Sequence, residues 1–233
     1  MELYIIRHGQ SANNALGTAV GRSHDPGLTE IGQQQAATVA NHLANGSCPD
    51  CAWERREGYE IDQLYCSAMT RALQTARPIG EALGLQPEVW LETHESGGIY
   101  LDGDAGTRQG YPGLTRPEIE AQFPGYVLPQ GVTDQGWWNR DWESLSECMG
   151  RAVAVAETLI QRSQYSEERI ALVTHGMFTN LLIKALFSQL PAPNIYYAHY
   201  NTAITRIDFY DNGTLGLRYL NRVNHLPPEL ITE

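Results

Sequence analysis

The sequence predicts an α/β fold, a three-layer sandwich in which helices cover both faces of a mostly parallel central sheet. Short apolar runs alternate with segments of helical period, which is the pattern of βαβ units. The runs at 3–7 and 169–174 are apolar at nearly every position, as strands buried on both faces are. A chain of 233 residues can bury one large core, so we expect a single domain over 1–233.

The first elements follow directly from these patterns. The run at 3–7 is the first strand, and a helix is predicted from Thr29 to Ala44, because apolar residues recur there near helical spacing. Gly46 then provides a stop signal. Residues 46–60 are polar and contain glycine, proline and several charges, so we interpret them as a surface excursion.

The next pair is a strand at 61–66 and a helix from Ser67 to about Leu83. Serine is a favoured N-cap residue, and Pro78 is expected to kink this helix. A short strand at 88–91 follows.

Residues 96–140 predict an irregular insertion, because they are rich in glycine, proline and aromatic residues and have no sustained period apart from a short helix at 117–122. Segments this long are often lids or binding loops. The aromatic residues suit a lid and a packed insertion equally well. In a lid, Arg108 or Arg116 facing inwards would suit a second anionic group on a ligand.

The remaining elements form a helix, a βα pair and two closing strands. A helix from Trp142 to about Gln161 carries an apolar stripe. A strand at 169–174 and a helix at 177–190 follow, and the last strands are predicted at 202–209 and 214–220.

Two histidines occupy corresponding positions after buried strands. His8 follows the first strand, His175 follows the strand at 169–174, and a glycine comes directly after each. Ligands bind at the carboxyl ends of parallel strands, where helix N-termini offer free N–H groups, so we expect both imidazoles at one site. Arg7 adds a cationic fork for phosphate oxygens. The pattern therefore predicts a phosphate site.

Four blocks in this chain resemble, in order, the motifs of the histidine phosphatase superfamily, the phosphoglycerate mutase-like proteins. They are LYIIRHGQSANN at 3–14, DPGLTEIG from 25 with Gln35-Ala36, SAMTRA from 67 with Gln74-Thr75-Ala76, and THG at 174–176. A lone Arg-His-Gly tripeptide would be a weak signal, whereas four ordered blocks at strand and helix boundaries are a strong one. The resemblance covers roughly residues 1–95 and 165–225.

The resemblance implies a phosphomonoesterase that hydrolyses a small phosphorylated metabolite. His8 would take the phosphoryl group as phosphohistidine, while the neighbouring donors hold its oxygens as charge develops. The residues implied to bind the phosphoryl group are Arg7, His8, Asn14, Arg71, His175 and Gly176. The resemblance calls for no cofactor and no metal.

The leaving alcohol also needs a proton from a carboxylic acid. In the family this acid follows the strand after the helix that carries Arg71, which leaves Glu92 and Glu95 as candidates. We prefer Glu95, because the glycines after Ser96 resemble the glycine that trails the family's acid. Glu92 directly follows the predicted strand at 88–91 and can still belong to it, which favours Glu95 further.

Two other functions stay open. One is a cofactor-dependent phosphoglycerate mutase, but residues 93–97 do not match the basic and aromatic run that follows the acid in mutases. A phosphatase only has to admit water, whereas a mutase must exclude it. The other is a catalytically inactive protein that binds phosphorylated ligands, against which the retention of every expected catalytic residue argues. The oligomeric state and the individual substrate stay open.

Composition limits the partners. A formal net charge of −11 argues against nucleic acid or an anionic membrane as the main partner, because polyanions bind basic surfaces. No run of 18 apolar residues exists and no leader precedes the first strand, so we expect a cytoplasmic location. Cys48 and Cys51 form an isolated C-x-x-C pair, which we interpret as part of a surface loop without metal or redox function.

Overall fold

The central sheet has six strands, and its order confirms the predicted α/β fold. The computed structural model describes residues 1–17, 21–46, 58–191 and 194–233. In these ranges the strands, numbered along the chain, are β1 Glu2–Arg7, β2 Gln63–Cys66, β3 Glu88–Val89, β4 Tyr100–Asp102, β5 Arg108–Gly110, β6 Arg169–Thr174, β7 Ile204–Phe209 and β8 Leu215–Arg222. The sheet order is β3-β2-β6-β1-β7-β8, and β4 and β5 form a separate hairpin.

The register of the two central strands brings their carboxyl ends level. β1 pairs in parallel with β6, and Arg7 lies opposite Thr174 at the last position of both strands. The strands β3, β2, β6 and β1 are parallel to one another, whereas β7 pairs antiparallel with β1 and with the edge strand β8. His8 and His175 therefore leave the sheet side by side.

Helices cover both faces of the sheet. Those of the described ranges are α1 Ala12–Leu16, α2 Glu30–Asn45, α3 Thr70–Leu83, α4 Arg116–Gln122, α5 Leu145–Ser163 and α6 Gly176–Leu186. Short 3-10 turns lie at Leu91–Thr93, Asp104–Gly106 and Pro228–Leu230.

The side chains of β1 alternate between the two cores. Tyr4 and Ile6 pack with residues of α2 and α3, whereas Leu3 and Ile5 pack with residues of α5 and α6. All four are fully buried. Burying a side chain of this size contributes about 1.5–3 kcal/mol, so the central strand is anchored from both sides and holds the site at its end in place.

Several predicted boundaries were wrong for identifiable reasons. The helix after β2 begins at Thr70 and not at Ser67, because the Ser67 hydroxyl binds His175 instead of capping the helix. The predicted strand at 88–91 is only Glu88–Val89, and a 3-10 turn follows it. The α3 helix continues through Pro78 to Leu83.

The two later helices are also shorter than predicted. The helix predicted from Trp142 begins at Leu145, because Ser144 and Glu147 form a reciprocal capping box at its start. The helix predicted to end at residue 190 ends at Leu186.

The insertion at 96–140 is interpreted as either a lid or a packed segment, and different parts of it fit each interpretation. Trp137 and Trp138 are buried in the core, and the Tyr126 hydroxyl donates to the carbonyl of Leu73, so much of the segment is packed structure. The hairpin of β4 and β5 lies at the candidate site described below.

The cysteine pair, a metal site and a membrane span are the remaining features to compare with the structure. Cys48 and Cys51 lie outside the described residues. Within the described residues no group of histidine, cysteine and carboxylate side chains is arranged to hold a metal ion. A search of the same residues finds no helix with the length and apolar composition needed to span a bilayer.

Candidate active site

All backbone polar groups of residues 8–10 are hydrogen-bonded, and all but the Gly9 carbonyl, which pairs with His8 Nδ1, have partners distant along the chain. The His8 N–H donates to the carbonyl of Thr174 (2.8 Å), and the His8 carbonyl accepts from Asn201 Nδ2 (3.0 Å). The Gly9 N–H donates to Thr75 Oγ1 (3.0 Å). A turn bonded in this way is held in one conformation before any ligand arrives.

The next residue of this turn is bonded on both sides. Gln10 donates its N–H to Gln35 Oε1 (2.7 Å), and its carbonyl accepts from the N–H of Thr29 (2.9 Å). A Cβ on Gly9 would lie 2.5 Å from the carbonyl oxygen of Gly32, so the close approach of α2 requires glycine at position 9. We refer to residues 8–10 as the nucleophile turn, after the role that the family resemblance implies for His8.

The hydrogen bonds of His8 define which ring nitrogen is free. Nδ1 donates to the carbonyl of Gly9 (2.7 Å), and Nε2 accepts from Arg71 Nε (3.1 Å). Burial, followed by the charges of Arg71 and Arg7, lowers the pKa of His8 well below its usual value. The imidazole is therefore neutral at physiological pH, with an Nε2 lone pair at the mouth of the site.

His175 faces His8 from the end of β6. The two ring centroids are 5.0 Å apart, and the His175 Nε2 lies 2.8 Å from Ser67 Oγ. Burial, followed by the charge of Arg71, lowers the pKa of His175 well below its usual value. The Ser67 hydroxyl also accepts from the N–H of Met69 (3.3 Å). The Nδ1 of His175 is buried and has no hydrogen-bond partner within the described residues.

Arg71 lies in the first turn of α3, as the sequence analysis predicted, and its guanidinium is almost fully buried. Besides its bond to His8, it contacts Met69 Sδ through Nη2 (3.1 Å) and lies 3.8 Å from Asp25 Oδ1 through Nη1. The Asp25 carboxylate also accepts from the Thr70 N–H and hydroxyl. Asp25 thus orients Arg71 and partly neutralises it.

Arg7 approaches the site from the end of β1. One of its terminal nitrogens donates to the carbonyl of His199, and Gly176 at the start of α6 lies against its guanidinium. A Cβ on Gly176 would lie 3.4 Å from Arg7 Nε, which is an ordinary van der Waals distance, so the contact does not by itself require glycine. The Nε of Arg7 is buried and has no hydrogen-bond partner in the described parts of the chain.

Glu95 lies at the N-terminus of α6. Its carboxylate accepts from the N–H groups of Phe178 (2.9 Å), Met177 (3.3 Å) and Ser96 (2.9 Å), and it lines the cavity beside His8. Backbone N–H groups at a helix N-terminus stabilise a carboxylate. Glu92, the alternative acid, is exposed and does not line this cavity.

The cavity has a volume of about 470 Å³ and a mainly polar wall. Of the predicted residues, His8, Asn14, Arg71 and Glu95 line it. Arg7, His175 and Gly176 are not part of the wall. The His175 ring packs against His8, the charge of Arg7 acts on His8, and Gly176 packs against Arg7.

Asn14 lies in α1 with its amide oriented by a capping box. Its Oδ1 accepts from the N–H (3.0 Å) and the hydroxyl (2.9 Å) of Ser11. The amide oxygen is thereby engaged, so the Nδ2 group is the part of Asn14 that remains as a donor towards the cavity.

The sequence analysis missed a basic contribution to the cavity wall. Arg22 and His24 line the cavity, and His24 stacks on Tyr111 with ring centroids 4.3 Å apart. The two arginines proposed for a lid do not line the cavity, although Arg108 Nε lies 3.2 Å from Oδ1 of Asp102, which does. Arg116 donates to carbonyls of its own segment, and Arg108 packs over Trp142.

Nothing in the local pattern around residues 21–24 indicates a ligand contact, because these residues form neither a periodic element nor part of the resembling blocks. The supporting residues Thr75, Gln35, Asn201 and Ser67 were missed for a different reason. They bind backbone or imidazole groups that are distant along the chain.

Comparison with known proteins identifies relatives over nearly the whole chain. A family model described as the histidine phosphatase superfamily (branch 1) matches residues 3–222. A probable phosphatase of Schizosaccharomyces pombe is 25% identical, over 98% of this chain and 97% of its own length. A 2,3-bisphosphoglycerate-dependent phosphoglycerate mutase of Bartonella quintana is 28% identical, over 79% of this chain and 80% of its own length.

Solved structures show the same fold. A phosphoserine phosphatase mutant from Entamoeba histolytica, crystallised in complex with phosphoserine, superposes with a TM-score of 0.62 at 22% identity and covers 97% of this chain and 99% of its own. The alpha-ribazole phosphatase from Shigella flexneri has a TM-score of 0.64 at 20% identity, covering 95% and 96% of the two chains.

Proposed function

The chain belongs to the histidine phosphatase superfamily, and on that premise we propose that it is a phosphomonoesterase that forms a phosphohistidine on His8. The observation that carries the proposal is the state of this imidazole. Its Nδ1 proton is held by the Gly9 carbonyl, its Nε2 lone pair is free of a proton, and Arg71 donates to that nitrogen. An oriented, neutral imidazole next to a buried guanidinium is suited to attack a phosphoryl group.

In the first step the Nε2 of His8 attacks the phosphorus atom. The N–P bond forms as the ester P–O bond breaks, and the leaving oxygen takes a proton from Glu95. Arg71 moves from the His8 nitrogen to a non-bridging phosphoryl oxygen. Arg7 Nε and His175 Nδ1, which are buried and have no protein partner among the described residues, donate to the other oxygens, with His175 in the tautomer that carries its proton on Nδ1.

In the second step a water molecule attacks the phosphohistidine. The electron pair of the N–P bond returns to His8, Glu95 accepts a proton from the water, and inorganic phosphate leaves. Glu95 therefore has to be protonated when the substrate binds. In the free protein its oxygens accept from three backbone N–H groups, which hold the carboxyl group beside the cavity.

The substrate we propose is a small, polar phosphate ester. The cavity wall consists mainly of polar side chains, and Arg22 supplies a cation apart from those at His8. A phosphorylated compound with a second anionic group suits this wall better than an aryl or lipid phosphate. The phosphoserine bound by the amoebal neighbour is of this kind.

A phosphoglycerate mutase is the second candidate, and the 28% identity to the Bartonella quintana enzyme favours it. The two activities differ in whether water or a second alcohol accepts the phosphoryl group. A coupled assay for interconversion of the two phosphoglycerates separates them.

The deciding experiment is a phosphate-release screen over a panel of phosphorylated metabolites, with wild type and His8→Ala in parallel. We expect release from polar substrates by the wild type, and a loss of about 10³-fold or more in His8→Ala. His42→Gln, a histidine remote from the cavity lining, is the control that should retain activity. Full activity of His8→Ala would overturn the proposal. Tight phosphate binding by an inactive wild type would indicate the ligand-binding alternative.

A further inference from the structure

A bridge of three side chains joins the two sides of the nucleophile turn. Gln35 comes from α2, Asn201 precedes β7, and Thr232 belongs to the segment after the last 3-10 turn. We call these three residues the turn clamp. None of them lines the cavity, so none is a contact of the substrate.

Two members of the clamp bind the turn directly. Gln35 Oε1 accepts from the N–H of Gln10 (2.7 Å), and Asn201 Nδ2 donates to the carbonyl of His8 (3.0 Å). Both amide side chains are fully buried. The turn is therefore held on either side of Gly9 by groups that water does not reach.

The third member joins the other two. Thr232 Oγ1 accepts from Gln35 Nε2 (2.8 Å) and donates to Asn201 Oδ1 (2.9 Å). The backbone of Thr232 contributes as well, because its carbonyl accepts from the N–H of Asn201 (2.8 Å). The three side chains thus form a continuous chain of hydrogen bonds from Gln10 to His8.

The direction of every bond in this chain is determined by the backbone at its ends. Gln35 must present its oxygen to the N–H of Gln10, so its NH₂ group faces Thr232. Asn201 must present its NH₂ group to the His8 carbonyl, so its oxygen faces Thr232. The group between them has to accept from one amide and donate to the other, and a hydroxyl does both.

We propose that Thr232 is a positioning residue for the nucleophile, acting through Gln35 and Asn201 on the conformation of residues 8–10. The inference rests on the proposed role of His8. The Gly9 carbonyl that holds His8 Nδ1 belongs to the clamped turn, so movement of the turn re-aims the Nε2 atom. Misplacement of a reacting atom by a fraction of an ångström to one ångström lowers the chemical rate without removing any substrate contact.

The test compares Thr232→Val with Thr232→Ser. Valine has nearly the same shape but neither donates nor accepts, whereas serine restores the hydroxyl. We expect kcat to fall about tenfold in Thr232→Val with KM changed less than about twofold, and to recover in Thr232→Ser. Thr158→Val, an exposed threonine of α5, is the matched control and should retain wild-type kcat.

A second measurement does not depend on activity. Amide hydrogen exchange at Gln10 reports opening of the clamp, and we expect about tenfold faster exchange in Thr232→Val than in wild type or Thr232→Ser. Gln35→Met should have a larger effect, whereas Gln34→Met, at an exposed position of the same helix, should have none.

The outcomes separate the two proposals. Wild-type kcat and unchanged Gln10 exchange in Thr232→Val would overturn the clamp while leaving the phosphatase assignment intact. An inactive wild type in which Gln10 exchange still responds to Thr232→Val would overturn the phosphatase assignment and the positioning role together.

Discussion

Burial is the main reason that the facing imidazoles of His8 and His175 are neutral, and the guanidinium groups around them are the second. A positive charge on either ring would lie near Arg71 in a region that water hardly reaches. Both rings are therefore neutral, and the site presents one lone pair and several N–H donors to a dianionic ligand. The same guanidinium that suppresses protonation is available to bind the phosphoryl oxygens.

The lowered pKa of His8 predicts the acid limit of activity. Since its folded-state pKa lies well below 6.5, lowering the pH from 7.5 to 6 should leave the nucleophile unprotonated. We expect no acid limb of kcat/KM centred near pH 6.5 in a pH–rate profile of the free enzyme. A limb centred there that the substrate's own second phosphate ionisation does not explain would contradict this assignment.

Arg22 is the residue for which we predict a role in substrate binding. It lines the cavity, and its charge is close enough to Arg71 to act on it. We expect Arg22→Gln to raise KM roughly three- to tenfold for substrates with a second anionic group and to change kcat little. Arg218→Gln removes an exposed arginine of β8 that does not line the cavity, and it should leave KM unchanged. Equal KM effects of the two variants would contradict a role of Arg22 in substrate binding.

Among the structural elements, α2 and the nucleophile turn pack closely because glycines face each other. A Cβ on Gly9 would lie 2.5 Å from the Gly32 carbonyl oxygen, and a Cβ on Gly32 would lie 2.1 Å from that of Gln10. The first turn of α2 thus packs directly against residues 8–10. Hydrogen bonds hold both backbones in place, so neither can move away from the other.

This close approach predicts that Gly32→Ala is damaging. We expect a loss of about 1–3 kcal/mol in the free energy of unfolding, because the added methyl group overlaps the backbone. We also expect a fall in kcat, because the nucleophile turn has to move. Urea denaturation and steady-state kinetics measure the two effects.

The matched control is Gly150→Ala in the middle of α5, where an added Cβ meets nothing within 4 Å. This substitution should stabilise the protein by about 1 kcal/mol, because alanine favours the helix, and leave kcat unchanged. Gly32→Ala with wild-type stability and activity would show that the turn is not confined by α2.

For the molecule as a whole, buried neutral histidines make stability depend on pH. His199 is buried between the carbonyl of Tyr197 and the hydroxyl of Thr205, and burial lowers its pKa to about 4. In the unfolded chain it titrates near 6.5. The neutral form therefore contributes stability that is fully present above pH 6.5 and is lost as the pH falls towards 4.

We accordingly expect the free energy of unfolding to fall between pH 7 and pH 4.5, with about 2 kcal/mol of the loss due to His199. His199→Gln should be less stable than wild type at pH 7 but should lose correspondingly less on acidification. Urea denaturation of both proteins at the two pH values measures the difference. An identical pH dependence in the two proteins would exclude His199 as its source.

The sequence by itself determined the fold class and the position of the histidines at the strand ends. Hydrophobic period distinguishes strands from helices, and parallel strands place their carboxyl ends at one edge, so the sequence predicts that residues 8 and 175 meet there. Arg71 could be placed as well, because the first turn of a helix after a parallel strand faces the same edge. The ends of elements were less predictable. The Ser67 hydroxyl, for example, lies 2.8 Å from His175 Nε2 and does not cap the helix that follows it.

Only the tertiary structure decided what surrounds these groups. The bonds from Asn201 and Gln35 to the nucleophile turn, the contact of Gly32 with Gly9 and the position of Arg22 on the cavity wall join segments that are distant along the chain. Such contacts depend on how whole elements dock against one another. Local propensity and spacing describe each element, but they do not say which side chains of other elements pack against it. Those side chains bury the His8 imidazole, which keeps it neutral, and they hold its orientation.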